Sequence, residues 1–271
     1  EVVYRIGVTR ATVQVRQLDP STNRFLEMAS FNPVEDAIPE EYTRVRGETD
    51  TRYRIALAEG VTSWQVIEEL KSVDLLSGDV AEVPAEGMLA PDRYEVSVDD
   101  TRTELVQRML DAQQKRIADV WAERREDVPL KTPEEMLTLA SIIEKETGIA
   151  EERRQVASVF TNRLNQGIRL QTDPTVIYGV TRGKGVLGRG LRRSELRKET
   201  PWNTYVIDGL PPTPIANPGL ASLRAAVDPD ETPFIFFVAD GTGGHAFAET
   251  LAEHNANVAK WRQIEADRAD N

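Results

Sequence analysis

An α+β fold is predicted for this chain by three textures of its sequence. Near the N-terminus Val2, Tyr4, Ile6 and Val8 fall at every second position, the period of a half-buried strand. Between residues 102 and 166, apolar residues recur at helical spacing inside segments with helix start and stop signals. After Gly167 the texture changes to loop and short strand, with Phe234-Ile235-Phe236-Phe237-Val238 as an apolar run of strand length.

The elements follow in order. Residues 1–18 read as strands, with a parity slip between Val15 and Leu18. Asp19-Pro20-Ser21 is a turn. Residues 32–52, with Asn32-Pro33 and Ile38-Pro39-Glu40, read as a loop. A short strand over 54–57 stops at Glu59-Gly60, and Thr62 or Ser63 caps a helix carrying Trp64, Val66, Ile67 and Leu70. Residues 86–97 form a connector with a tight turn. A long helix spans 102–125 and ends at Asp127-Val128-Pro129. Thr132-Pro133-Glu134-Glu135 then starts a helix that runs to Thr147 and stops at Gly148. Another covers 151–166 and stops at Gly167. Thr175-Val176-Ile177-Tyr178 reads as a strand, 181–200 and 209–219 as loops, and 247–268 as an acidic closing helix. Three divisions result: a strand-rich segment over 1–51, a small module over 52–100, and a larger domain over 101–271.

Composition removes whole classes of function. The 271 residues carry 33 Lys+Arg against 45 Asp+Glu, a formal net charge of −12, which argues against nucleic acid as a partner. No apolar run of membrane-spanning length occurs. Zero cysteines and two histidines, His245 and His254, exclude disulfide scaffolds, thiol catalysis and Cys- or His-rich metal sites, so no metal or cofactor is expected. Because the sequence opens at Glu1 without Met, it reads as a processed chain or ectodomain whose upstream anchor is missing.

Most local motifs have ordinary readings. Gly183-Lys184-Gly185-Val186-Leu187-Gly188 fits G-x-G-x-x-G, but no helix follows directly, so it reads as a mobile loop and not a dinucleotide site. The seven Lys and Arg residues over 182–198 belong to a solvated loop or meet an anionic ligand. His245 follows Gly243-Gly244 and reads as structural; His254 reads as a surface or capping group.

The helix over 133–147 is more informative. Met136, Leu139, Ala140, Ile143 and Thr147 share its core face, Lys145 points away, and Glu144 and Glu146 flank the stripe on opposite edges. Both carboxylates have a plain reading as solvated helix-end groups. Glu146 is the better candidate for a working acid. Its i−4 and i−3 neighbours are Ile142 and Ile143, an apolar shelf that raises a carboxyl pKa, whereas those of Glu144 are Ala140 and Ser141. The negative end of the helix dipole acts in the same direction. A carboxyl kept protonated near neutral pH suits a glycosidic leaving group.

The run Leu139-Ala140-Ser141-Ile142-Ile143-Glu144-Lys145-Glu146-Thr147 closely resembles the signature helix of the endolytic murein transglycosylase (MltG, YceG-like) family. So do the blocks at 156–164, 170–179 (Leu170-Gln171-Thr172-Asp173-Pro174), Asn203-Thr204-Tyr205, 209–219, 237–241, Gly244-His245-Ala246-Phe247 and Glu253-His254-Asn255. Ala58-Glu59-Gly60-Val61-Thr62 and the stretch from Glu86-Gly87 to Tyr94 resemble the family's LysM-like part, while residues 1–50 match nothing recognisable. Trp202 stands where the family has Tyr, and Met88-Leu89-Ala90 is less aromatic than usual.

The resemblance implies a LysM-like module before a YceG-like catalytic domain with a catalytic helix and mixed strands. It makes the second Glu of the Glu-Lys-Glu-Thr run, Glu146, the catalytic residue of a peptidoglycan lytic transglycosylase. That reaction cleaves the MurNAc-GlcNAc β-1,4 bond and leaves a 1,6-anhydro end, with one carboxyl acting first as acid and then as base. Gln171, Thr172, Asp173, Asn203 and Tyr205 become candidates for holding the sugar, with a turn cap as the plain reading of Asp173. Asn162 and Arg163 brace the helix instead. The implied partners are glycan strands and peptidoglycan synthases, and the implied location is the periplasmic face of the inner membrane. A non-catalytic glycan-binding scaffold, and a hydrolase pairing Glu146 with Asp173 or Glu144, are the competing classes.

Overall fold

The computed structural model describes residues 4–9, 12–33, 35–98 and 100–269. The chain divides into two compact units, residues 1–114 and 115–271.

The first unit is built on one five-stranded sheet: β1 (Tyr4–Thr9), β2 (Thr12–Asp19), β3 (Arg24–Phe31), β4 (Thr51–Ala56) and β5 (Arg93–Val96), in the order β3-β2-β1-β4-β5. β1 pairs antiparallel with β2 and parallel with β4. The parity slip is visible as a shift of register between Val15 and Arg16 where β2 meets β3. Inward residues of the sheet, among them Ile6, Val15 and Ile55, share a core with Val66, Ile67 and Leu70 of α2 (Ser63–Lys71) and with Leu105 and Met109 of α3 (Arg102–Ala122). Thr62 caps α2 in a capping box with Gln65, as its sequence position predicts.

Four points of the sequence reading for this half need correction. The predicted loop over 32–52 contains a short helix, α1 (Glu40–Val45), which buries Tyr42 and Val45. Strand β3 has no counterpart in the sequence reading, because its buried and exposed positions do not alternate cleanly. The division at 51/52 does not separate two bodies: β1 and β4 lie side by side in one sheet, so residues 1–51 and 52–100 share a core. The unit boundary falls inside α3 and not at residue 101. Val2, the first residue of the predicted alternation, lies outside the described residues.

The second unit holds the rest of α3, then α4 (Pro133–Glu146), a 3-10 turn (Ala150–Glu152), α5 (Arg153–Gln166), α6 (Asp173–Thr181), α7 (Arg193–Arg197), α8 (Leu220–Val227), an antiparallel pair β6 (Phe236–Ala239) and β7 (His245–Ala248), and α9 (Leu251–Ala269). The Thr132 hydroxyl accepts from the Glu135 amide, and Pro133 opens α4 with its φ already helical. Every side chain from Met136 to Ile143 is buried, because α5, α6 and α8 surround this helix. Each large apolar side chain so buried contributes about 1.5–3 kcal/mol. α5 ends where Gly167 takes φ 66, as the glycine there predicts.

The sequence reading departs from the structure at 175–178, which is helix and not strand. Pro174 sits in the first turn of α6, and that start outweighs the strand preference of Thr175, Val176 and Ile177. The Pro-Gly loop over 209–219 is also drawn inward, with Ile215, Ala216 and Asn217 buried. The closing helix starts at Leu251 because Phe247 and Ala248 are paired in β7.

Candidate active site

Glu146 is the last helical residue of α4, and Thr147 leaves the helix in an extended conformation. The two flanking carboxylates have different partners. Glu144 accepts the Gly219 amide at 2.9 Å, at the N-terminus of α8, where a carboxylate complements the exposed N–H groups. Glu146 instead accepts a hydrogen bond from the Thr172 hydroxyl. Part of Glu146 stays open to solvent, yet the protein packed about its carboxyl raises its pKa above the ordinary value. The Thr172 hydrogen bond opposes that rise, the nearby Asp173 charge adds to it, and the Arg163 charge, with His245 when that ring is protonated, opposes it. Other carboxyls that shift go the other way, as Glu195 does, pulled down to about 2 chiefly by its hydrogen bond with Arg189.

Thr172 is held by a buried threonine cluster. Its amide donates to the Thr204 hydroxyl at 3.1 Å, the Thr175 and Thr204 hydroxyls are 2.9 Å apart, and the Thr175 hydroxyl donates to the Thr172 carbonyl at 2.7 Å. Gln171 adopts φ 51 and donates its amide to the Thr204 carbonyl, which turns its side chain toward solvent. Asp173 follows, and its carboxylate accepts the Tyr205 hydroxyl at 2.6 Å. Burial raises the Tyr205 pKa, so the phenol stays a donor.

Five of the six candidate residues thus converge: Glu146, Gln171, Thr172, Asp173 and Tyr205. The sixth, Asn203, is corrected by the structure. It is 0% exposed. Its amide nitrogen donates to the carbonyls of Glu195, Leu196 and Lys198, and its oxygen accepts the Tyr205 amide, so the side chain is engaged inside the protein and presents no surface to a sugar. Asn203 ties the basic loop to the site instead. Thr172 is buried too, and its hydroxyl is aimed at Glu146.

Within the basic loop Arg189 pairs with Glu195, and the Arg182 guanidinium lies 3.9 Å from the ring centre of Trp202. Asn162 and Arg163 are braces, as the sequence reading has them. The Asn162 amide donates to the Thr232 and Phe234 carbonyls. Arg163, 8% exposed, donates to the carbonyls of Ile235, Arg169 and Leu170. What the sequence does not signal is the role of Thr204, or the pairing of His245 with Glu152, at 2.8 Å between Nδ1 and the carboxylate.

A first prediction arises here. Thr172→Val removes the donor to Glu146 while keeping the shape of the side chain. The Glu146 pKa then rises further, so the alkaline limb of a pH–rate profile moves to higher pH. The kcat falls roughly tenfold, the scale of one charge-assisted hydrogen bond. An unchanged profile in steady-state assays would separate Thr172 from the carboxyl.

A model of the YceG-like family matches residues 12–260. The chain is 36% identical over 178 residues to the endolytic murein transglycosylase of Bacillus subtilis, covering 66% of this chain and 48% of that protein. It is 28% identical over 246 residues to the endolytic murein transglycosylase of Streptococcus pneumoniae serotype 2, covering 82% of this chain and 44% of that one. Among solved structures, a yceG-like protein of Listeria monocytogenes superposes with a TM-score of 0.62 at 30% identity, over 75% of either chain. The chain spans about half the length of the curated relatives it matches.

Proposed function

The chain belongs to the YceG-like family, and from that premise we propose that it is an endolytic peptidoglycan lytic transglycosylase with Glu146 as its acid and base. The observation that carries the reading is a single carboxyl with a raised pKa at an open helix end, held by Thr172 and flanked by an exposed Asp173 and Gln171. Protonated Glu146 donates to the glycosidic oxygen as the bond to the muramic C1 breaks. The resulting carboxylate takes the proton of the muramic C6 hydroxyl, whose oxygen closes onto C1. No water is consumed, and Glu146 ends protonated as it began.

A hydrolase would need a second carboxyl to activate water. Asp173 is bonded to Tyr205 and Glu144 to the Gly219 amide, which favours the one-carboxyl course. The deciding experiment is mass spectrometry of glycan strands after digestion. Anhydro ends, lighter by one water than reducing ends, support the proposal; reducing ends make the protein a hydrolase, and intact strands make it a binding scaffold.

The same reading extends to the N-terminal half and to location. β4, α2 and β5 form a strand-helix-strand unit with its two strands antiparallel, which supports a LysM-like glycan-binding role for residues 52–100. A chain starting at residue 100 should then sediment less with insoluble sacculi while still cleaving soluble strands. Equal sedimentation of both chains would make the first hundred residues a spacer. The location proposed with this reading is the periplasmic face of the inner membrane, and the partners proposed are synthases whose nascent strands it terminates. Fractionation and cross-linking in cells test both.

A further inference from the structure

Glu152 and His245 lie 93 residues apart in sequence and are joined twice. One Glu152 oxygen accepts the His245 backbone amide at 2.9 Å, and the other meets His245 Nδ1 at 2.8 Å. An ionised carboxylate only accepts, so Nδ1 carries the proton and the ring is locked in orientation. Both side chains are mostly buried, at 16% and 18% exposure. The backbone is shaped for this contact: a Cβ on Gly244 would stand 2.5 Å from the Glu152 carboxylate.

The pair also has a place relative to the site. Glu152 closes the 3-10 turn six residues after Glu146, and His245 opens β7. The other strand of the hairpin is tied down by Arg163, which donates to the Ile235 carbonyl and stacks at 5.3 Å on Phe236. Arg163 in turn holds the Leu170 carbonyl, next to the Gln171-Thr172 wall of the site. The hairpin is therefore tied to the turn that follows α4 and, through Arg163, to the segment that leads into Gln171 and Thr172. The charged groups that interact with His245 are Glu152, Asp240 and Glu146. Those that interact with Glu146 are Asp173, His245, Arg163 and Tyr205, with Thr172 as its hydrogen-bond donor.

We propose that Glu152 and His245 form a positioning pair for Glu146, in which Glu152 holds the imidazole so that the ring, when protonated, keeps a fixed positive charge beside the Glu146 carboxyl. Such a charge favours the carboxylate form, which must exist after the first proton is given and before the second is taken. The proposal rests on Glu146 as the proton carrier.

The test uses the full chain with His245→Gln, and reads the Glu146 carboxyl by 13C NMR titration alongside the pH dependence of kcat. Loss of the positive charge raises the Glu146 pKa. Its titration and the alkaline limb of the rate profile both move to higher pH, and kcat falls on the order of tenfold at unchanged KM. An unmoved titration with unchanged kcat overturns the proposal and leaves the pair as a staple of the hairpin. Should His245→Gln fail to fold, Gly244→Ala decides. Its new methyl displaces the flexible end of Glu152 without breaking a core, and the same upward titration and lower kcat are expected; wild-type values overturn the pair. If wild-type protein forms no anhydro ends, the proposed function fails, while the NMR titration still judges the pair.

Discussion

Replacing Glu146 by Gln is expected to abolish most turnover while leaving the protein folded. The loss should be roughly a hundredfold or more in kcat, the scale of removing a general acid, which corresponds to about 2.7 kcal/mol of transition-state stabilisation. Folding does not account for it. Burial raises the folded-state pKa of Glu146, so the folded chain holds that proton more tightly than the unfolded chain. The contribution of that proton to stability is present at low pH and is lost as pH climbs through the folded pKa. Above that pH the Gln variant, which carries no charge to bury, should be at least as stable as wild type. Thermal melts at pH 5 and pH 9 beside a reducing-end and anhydro-end assay check both halves. Wild-type activity in the Gln variant would take Glu146 out of the mechanism and turn attention to Glu144.

The second large effect is structural and reaches the site indirectly. Arg163→Leu should destabilise the fold by about 3 kcal/mol, because buried carbonyls lose their donor and cannot regain water. The guanidinium serves Leu170 at 2.9 Å and Ile235 at 2.7 Å, and among the described residues no carboxylate hydrogen-bonds to it. Its pKa is lowered by burial, which marks how costly the site is for a cation. With it gone, the turn that carries Gln171 at φ 51 loses its anchor, and Thr172 is the next residue. Urea unfolding should show a lower midpoint at unchanged slope. A variant within about 0.5 kcal/mol of wild type, on the scale of ordinary surface substitutions, would show that the guanidinium is not a required donor.

Much of the second unit was legible along the chain. The start of α4 at Thr132-Pro133, the stop of α5 at Gly167, and the contrast between Glu144 and Glu146 all follow from neighbours within four residues. The capping box of α2 is equally local. Less was legible where a local preference was overruled. Thr175-Val176-Ile177 favours a strand in isolation, but a proline in the first turn and burial of Thr175 and Val176 make it helix. The resemblance offers Asn203 for a sugar, but an Asn between Trp202 and Thr204 carries no local sign of its burial; three carbonyls of the 195–198 segment claim its amide.

The sequence by itself determined which carboxyl stands at the last turn of a buried helix, beside an apolar shelf, because periodicity and capping are read from residues a turn apart. Tertiary structure alone decided what surrounds that carboxyl. Thr172 reaches Glu146 across 26 positions, Tyr205 reaches Asp173 across 32, and His245 reaches Glu152 across 93. It also decided that β4 lies beside β1 and joins the first fifty residues to the next fifty in one sheet. No local period encodes such pairs. They form when the packing of buried faces brings distant segments together, and each buried polar group must then find its partner among whatever the fold has delivered.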